Sequence, residues 1–294
     1  MLKINLFPLL ILGLAACSQS AESASATPDA PLVTTLENRL IDGNVPGLRV
    51  VGSVKEVPES SGLVPGPRPN TYYSFGDNGN KPRIYLLDDK GSVLEKIDVA
   101  AKNHDWESMT RDNQGTYFIG DCGNNNSDRK NLKILRLDPA KPDQVGQIKF
   151  TYPDQDKFPP KKKKDREFDC EATLWRDGRI WLFTKDANEK TCHVYSVPDQ
   201  PGEYEAKKET NLKIDGRVTD ATLSPDGTRL VLLARAELFI LDGKDWDSIL
   251  DATPYHISLR GAGQTEGVAF KDAGHLLICT EQGKLYEYDL PVNY

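Results

Sequence analysis

Five short segments recur along the chain at near-regular spacing, and each opens the same series of strand-like runs. They are "SSGLV" at 60–64, "WESMT" at 106–110, "CEATL" at 170–174, "TDATL" at 219–223 and "TEGVA" at 265–269. Their second residues, Ser61, Glu107, Glu171, Asp220 and Glu266, stand 46, 64, 49 and 46 positions apart. The long interval holds "PDQDKFPPKKKKDREFD", which reads as a loop insertion. Behind each segment come a turn, an apolar second run such as "TYFIGD" or "RLVLLAR", and a third run such as "LKILRL" or "ELFIL". Four units add a fourth run: "VLEKIDV", "GQIKFTY", "EAKKETNLKI" and "YHISL". The fifth unit has none of its own, and "LRVVGSV" at 48–54 is the candidate to complete it.

Four strands per unit at a period near 45–50 residues predict an all-β, five-bladed β-propeller over 45–294, closed by the strand at 48–54. Turn signals such as "RDNQG", "SPDG" and "KDAG" separate the runs, and helical periodicity is nearly absent. A six-bladed ring is the alternative, with a degenerate blade within 32–57. A β-sandwich does not account for the even spacing.

In propellers the first strand of each blade lines the central channel. Ser61, Glu107, Glu171, Asp220 and Glu266 are therefore expected to ring the axis. Like charges about 4 Å apart repel by roughly 4 kcal/mol at an effective dielectric near 20. Such a ring takes up protons or holds a cation. Its ligands are all oxygens, which favours Ca²⁺ over Mg²⁺. The bland alternative is that these acids cap strand starts and accept backbone N–H groups. The second runs end in Asp77, Asp121, Lys185, Arg235 and Glu281, and antiparallel pairing brings these ends to the same mouth. Lys185, Arg235 and Glu281 are read as ligand-binding, and the two bases suit an anionic group. Cross-blade ion pairing is the plain alternative. Asp77 or Asp121 is the candidate to activate water if the site is catalytic. The loops "GDNGN" (76–80) and "GDCGNNN" (120–126) can offer backbone N–H groups. The run "KKKK" (161–164) is a solvated loop or a contact for anionic headgroups or a partner.

The chain begins "MLKINLFPLLILGLAAC". Its apolar stretch is too short for a mature transmembrane helix. "LAAC", ending at Cys17, resembles the bacterial lipobox, which implies cleavage after residue 16 and lipidation of the Cys17 thiol, palmitate being an expected acyl chain. Ser18 after the cysteine implies, by the same resemblance, an outer-membrane lipoprotein of the cell envelope. Residues 17–44 read as anchor and flexible tether. Removing 1–16, which contain Lys3 and no acid, moves the formal charge from −7 to −8. That acidity argues against a nucleic-acid partner. The expected contacts are the membrane through Cys17 and an anionic small molecule or envelope protein, with the chain a monomer. Cys122, Cys170, Cys192 and Cys279 allow three disulfide pairings, with Cys170–Cys192 the leading choice and Cys122–Cys170 its rival. Neither these cysteines nor the scattered histidines have zinc-site spacing.

"ESSGL", "GDNG", "DWES", "GTYFIGDCGNN" and "DCEA" resemble a broad group of secreted bacterial propellers labelled phytase-like or esterase-like. The Ser-Gly-Leu opening is also similar to gluconolactonase-type propellers, which usually have six blades. The five-blade ring of serine and acids looks like the calcium-dependent apyrases, whose inner-strand carboxylates and serines hold one central Ca²⁺. That resemblance matches Ser61, Glu107, Glu171, Asp220 and Glu266, although a serine is expected where Asp220 stands. The expected function is an envelope-anchored, calcium-binding propeller that takes an anionic ligand or a protein partner at its channel mouth. The alternative is a calcium-dependent hydrolase of phosphate esters or anhydrides, with a lactonase third. No "GxSxG" elbow supports serine esterase chemistry.

Overall fold

A computed structural model describes residues 45–185 and 190–291. Cys17, the lipobox and the tether lie outside the described residues. Strand β1 (Leu48–Ser53) comes first. Blade 1 holds β2 (Val64–Pro65), β3 (Thr71–Phe75), β4 (Arg83–Asp88) and β5 (Val93–Asp98). Blade 2 holds β6 (Trp106–Arg111), β7 (Tyr117–Asp121), β8 (Lys133–Leu137) and β9 (Gly146–Thr151). In blade 3, β10 (Asp169–Arg176), β11 (Arg179–Lys185) and β12 (Cys192–Pro198) are followed by β13 (Gly202–Glu205) and β14 (Lys207–Leu212). Blade 4 is formed by β15 (Val218–Leu223), β16 (Arg229–Ala234), β17 (Glu237–Asp242) and β18 (Tyr255–Ser258), with helix α1 (Trp246–Leu250) before its last strand. Blade 5 takes β19 (Thr265–Asp272), β20 (His275–Thr280) and β21 (Lys284–Asp289).

These strands form five separate sheets, one per repeat, antiparallel but for one added strand. The chain is a five-bladed β-propeller. Residues 45–57 supply β1 alone, so they hold no sixth blade. β1 pairs antiparallel with β21, Leu48 opposite Tyr288 and Ser53 opposite Lys284. The fourth strand missing from the last repeat is thus supplied from the other end of the propeller. One strand departs from the four-per-blade expectation. β13 pairs in parallel with β9, widening blade 2 to five strands.

The apolar second runs have a simple physical origin. A blade is covered by a neighbour on each face, so its inner strands are buried on both sides and lose the period-2 alternation. β3 and β7 are buried at every residue. The core accordingly divides into five layers between adjacent blades. Phe75, Trp106 and Ile119 pack between blades 1 and 2, whereas Phe183, Leu230 and Trp246 pack between blades 3 and 4. Tyr72, Leu277 and Leu285 close the ring between blades 5 and 1. Helix α1 starts in a capping box: the Asp245 side chain accepts from the Ser248 amide at 2.9 Å, and the Asp245 amide donates to the Ser248 hydroxyl at 3.1 Å.

The expected Cys170–Cys192 disulfide is corrected. Cys170 packs between blades 2 and 3 and Cys192 between blades 3 and 4, so the sheet of blade 3 separates them. All four described cysteines are buried free thiols.

Closure depends on the fit of β1 against blade 1. The Ser53 amide donates to the Lys90 carbonyl at 3.0 Å, and a Cβ on Gly52 would lie 1.9 Å from that same oxygen. Gly52→Ala must push β1 away from the turn and from β21. The expected cost is about 2 kcal/mol, or roughly 4–8 °C in Tm. A calorimetric melt checks it, and an unchanged Tm would show that this junction does not hold the ring.

Candidate functional site

One end of the channel opens into a polar cavity of about 120 Å³. Its walls bring together Ser61, Glu107, Glu171 and Glu266 from the first set of sequence positions. They also bring Asp77, Lys185, Arg235 and Glu281 from the second. Two positions from these sets, Asp220 and Asp121, are elsewhere.

A strand irregularity explains how the glutamates reach the mouth. Between Trp106 and Ser108 the pairing with β7 skips a residue, and the skipped residue is Glu107. Glu171 is skipped likewise in blade 3 and Glu266 in blade 5. A bulge re-aims the side chain of its extra residue. In blade 4 the skipped residue is Thr219, and Asp220 pairs opposite Leu233. Asp220 therefore occupies the place of Ser108, Ala172 and Gly267, one position further along. A one-residue slip turns a side chain to the other face. Asp220 is completely buried and accepts backbone N–H groups from Val268 at 2.8 Å, Ala221 at 2.9 Å and Leu63 at 3.4 Å. It ties together inner strands of blades 4, 5 and 1, in place of the ring position expected for it.

Asp121 is the second correction. Its buried carboxylate receives Lys133 at 2.6 Å, Arg129 at 2.9 Å and His104 at 2.9 Å. Burial works against its charge, but these three partners outweigh it and hold the group below the usual carboxylate range. It has no place at the mouth and no free oxygen with which to activate water. Lys185 is engaged as well. Its ammonium bonds to Glu171 and lies 3.4 Å from Asp169. Burial opposes that charge, yet Glu171 and Asp169 raise the lysine above its ordinary value. Arg235, exposed at the rim, has no ion pair among the described residues.

One group of three carboxylates comes from the facing ends of blades 1 and 2 alone. One oxygen from each of Asp77, Asp105 and Glu107 falls within 4.8 Å of the others. Asn103 fixes this corner: its amide donates to the carbonyls of Gly76 at 2.9 Å and Asp77 at 3.0 Å. Its oxygen accepts from the Trp106 amide at 3.0 Å. The end of β3 is thereby bound to the start of β6. Gly123 leaves the space the carboxylates occupy, because a Cβ there would lie 2.3 Å from Glu107 Oε1 and 2.5 Å from Asp105 Oδ2. Glu107 is 7 % exposed, and no hydrogen-bond donor among the described residues reaches its carboxylate. Burial, then Glu171 and Asp77, raise it well above the usual range. Asp105 is pushed up to about 6 by burial and Asp77, against the pull of Arg129. Burial also raises Asp77, although the Asn78 amide opposes it.

Two oxygens bound to one Ca²⁺ stand at most about 5 Å apart, and on Mg²⁺ about 4 Å. Oxygens within 4.8 Å of one another can share one Ca²⁺, and the all-oxygen donor set suits that ion. Asp105, Asp169, Glu59 and Gln264 belong to this region and were not singled out from the sequence. A signal was available. They precede Glu107, Glu171, Ser61 and Glu266 by the same two residues, an offset that repeats in four of the five units.

No family model and no curated protein sequence matches the chain. Solved structures resemble it in fold. A gluconolactonase from Xanthomonas campestris aligns at TM-score 0.49 and 14% identity, over 83% of this chain and 89% of that one. A PQQ-bound aldose sugar dehydrogenase from Streptomyces coelicolor aligns at 0.47 and 10%, over 82% and 96%. A luciferin-regenerating enzyme gives 0.47 and 11%, over 80% and 78%.

Burial pushes Asp220 up to about 8, against its three N–H donors. A carboxyl raised on folding favours the folded state fully below its unfolded value near 3.8, and that contribution is lost as pH rises toward about 8. Asp220→Asn should flatten the fall of Tm between pH 5 and pH 8 relative to the unchanged protein. Equal slopes in the two proteins would show that Asp220 is charged throughout.

Proposed function

We propose that this chain is a calcium-binding propeller of the bacterial envelope, with one Ca²⁺ held off the axis by Asp77, Asp105 and Glu107. The observation that carries the reading is Glu107: a buried carboxylate without a donor, less than 5 Å from two others. Burying such a group uncompensated is costly, and a divalent cation removes both the desolvation and the repulsion. Ser61 and Asn125 line the same cavity and offer further oxygens. When bound, the ion would supply a concentrated positive charge that orients an anionic group entering the mouth. Arg235 at the rim would meet that group, while Lys185 stays with Glu171 and Asp169.

The binding reading is preferred to hydrolysis because the two acids considered for water activation are both engaged. Asp121 is ion-paired, and Asp77 is a ligand to the proposed ion. One observation favours the hydrolase alternative. Glu171 lines the cavity, and burial with Asp169 raises it well above the usual range despite Lys185. The Glu171 carboxyl and the Lys185 ammonium together form a proton-exchanging pair at the cavity wall, the chemistry a general acid–base step needs. Turnover of a phosphate-ester, nucleotide and lactone panel with Ca²⁺, abolished in Glu171→Gln, would establish that alternative.

Ca²⁺ at a hundredfold excess over Kd should stabilise the folded chain by about 2.7 kcal/mol, or roughly 5–10 °C in Tm. EDTA should reverse the gain, and Glu107→Gln or Gly123→Ala should abolish it. A melt indifferent to Ca²⁺ and EDTA, with no heat of binding in calorimetry, would remove the metal site. The envelope anchor is proposed from the "LAAC" motif, and Cys17→Ser should move the protein from the membrane fraction to the soluble periplasm. Unchanged membrane retention would refute lipidation at Cys17.

A further inference from the structure

A second, larger cleft of about 760 Å³ opens on the outer strands of blade 2. Its floor is β8 and β9, with Leu132, Leu135 and Phe150 as the apolar base. The linker at 100–104 forms one wall. The other is β13, the added strand, which contributes Glu203 and Tyr204. Without that strand the blade would end at β9 and the cleft would have no second side. Its volume falls in the range of small-molecule sites, about 300–1,000 Å³.

The charge of this cleft opposes that of the chain. The whole sequence carries −7, yet four lysines and one glutamate line the cleft. Lys149 pairs with Glu203 at 2.9 Å and Lys133 with Asp121 at 2.6 Å. Lys102 and Lys130 have no acidic partner among the described residues. Lys130 lies 5.0 Å over the ring of Phe158, from the insertion, at the rim. His104 completes the set. Its Nδ1 is 2.9 Å from Asp121 Oδ2 and 3.3 Å from Lys133 Nζ. The Asp121 carboxylate can only accept, so Nδ1 carries a proton and donates to it. The other ring nitrogen, Nε2, is left for a ligand, and the side chain is 41% exposed. A buried carboxylate that fixes one imidazole nitrogen so orients the other.

We propose that this cleft binds a phosphate monoester carried on a small apolar or aromatic body. Lys102 and Lys130 meet its charge, and Phe150 and Tyr204 meet the body. A phosphate brings close to two negative charges and three acceptor oxygens, which match two ammonium groups that have no acidic partner among the described residues. A single carboxylate would leave one of these cations unmatched. The site uses residues distinct from the proposed calcium ligands, although Arg129 contacts both Asp105 and Asp121, the carboxylate beside His104.

Phenyl phosphate is the probe, titrated by calorimetry into the full-length chain at low salt. It should bind, weaken as salt screens the lysines, and withstand EDTA and Glu107→Gln. The double variant Lys102→Ala/Lys130→Ala changes two exposed side chains and should lose at least about tenfold in affinity. No binding, or equal affinity in the double variant, overturns the proposal. Vesicles of phosphatidic acid, a lipid phosphate monoester, in phosphatidylcholine identify the source of the phosphate, using the Cys17→Ser chain so that an acyl anchor does not intervene. Vesicle binding that phenyl phosphate displaces and the double variant lacks supports a lipid headgroup. Binding of phenyl phosphate alone supports a soluble ester.

Discussion

Each blade of this propeller has two faces to cover, and none can cover either face by itself. That constraint organises the whole structure. Five inter-blade layers bury the inner strands, and the arrangement works only when the ring is closed. Closure falls to β1, which completes blade 5 from the other end of the domain. The pairing of β1 with β21 and its contact with the Lys90 turn connect the last blade to the first.

Closure also creates the chemistry. Inner strands converge on the axis, so residues distant in sequence are brought into one small polar cavity. Three bulges send Glu107, Glu171 and Glu266 to that cavity. Burial then makes their charge expensive, and the structure meets the cost differently at each place. Glu171 has Lys185. Asp220, one position deeper, has three backbone donors. Glu107 has neither, and is left beside Asp77 and Asp105. The proposed cation compensates a carboxylate for which the described residues supply no donor.

Much of this was legible in the repeat. The blade count, the closing strand and eight of the ten mouth positions follow from segment spacing and run order. What was not legible has physical causes. Asp220 aligns with the glutamates by residue type, but the bulge in blade 4 falls on Thr219, and a bulge leaves no mark in composition. Asp121 ends its run as Asp77 does, yet Lys133, Arg129 and His104 converge on it from later and earlier segments. Sequence order does not reveal that convergence. Asp105 was hidden because it precedes the strand, and it is the bulge at Glu107 that brings the two carboxylates together. β13 was unreadable as a parallel strand, since its partner β9 belongs to the preceding blade.

The central claim is the position of the cation. Crystals grown with Ca²⁺, and collected at a wavelength where calcium scatters anomalously, would locate it directly. A single anomalous peak within about 2.3–2.6 Å of oxygens from Asp77, Asp105 and Glu107 is the predicted result. A peak on the propeller axis between Glu107, Glu171 and Glu266, or no peak at the mouth, would contradict it.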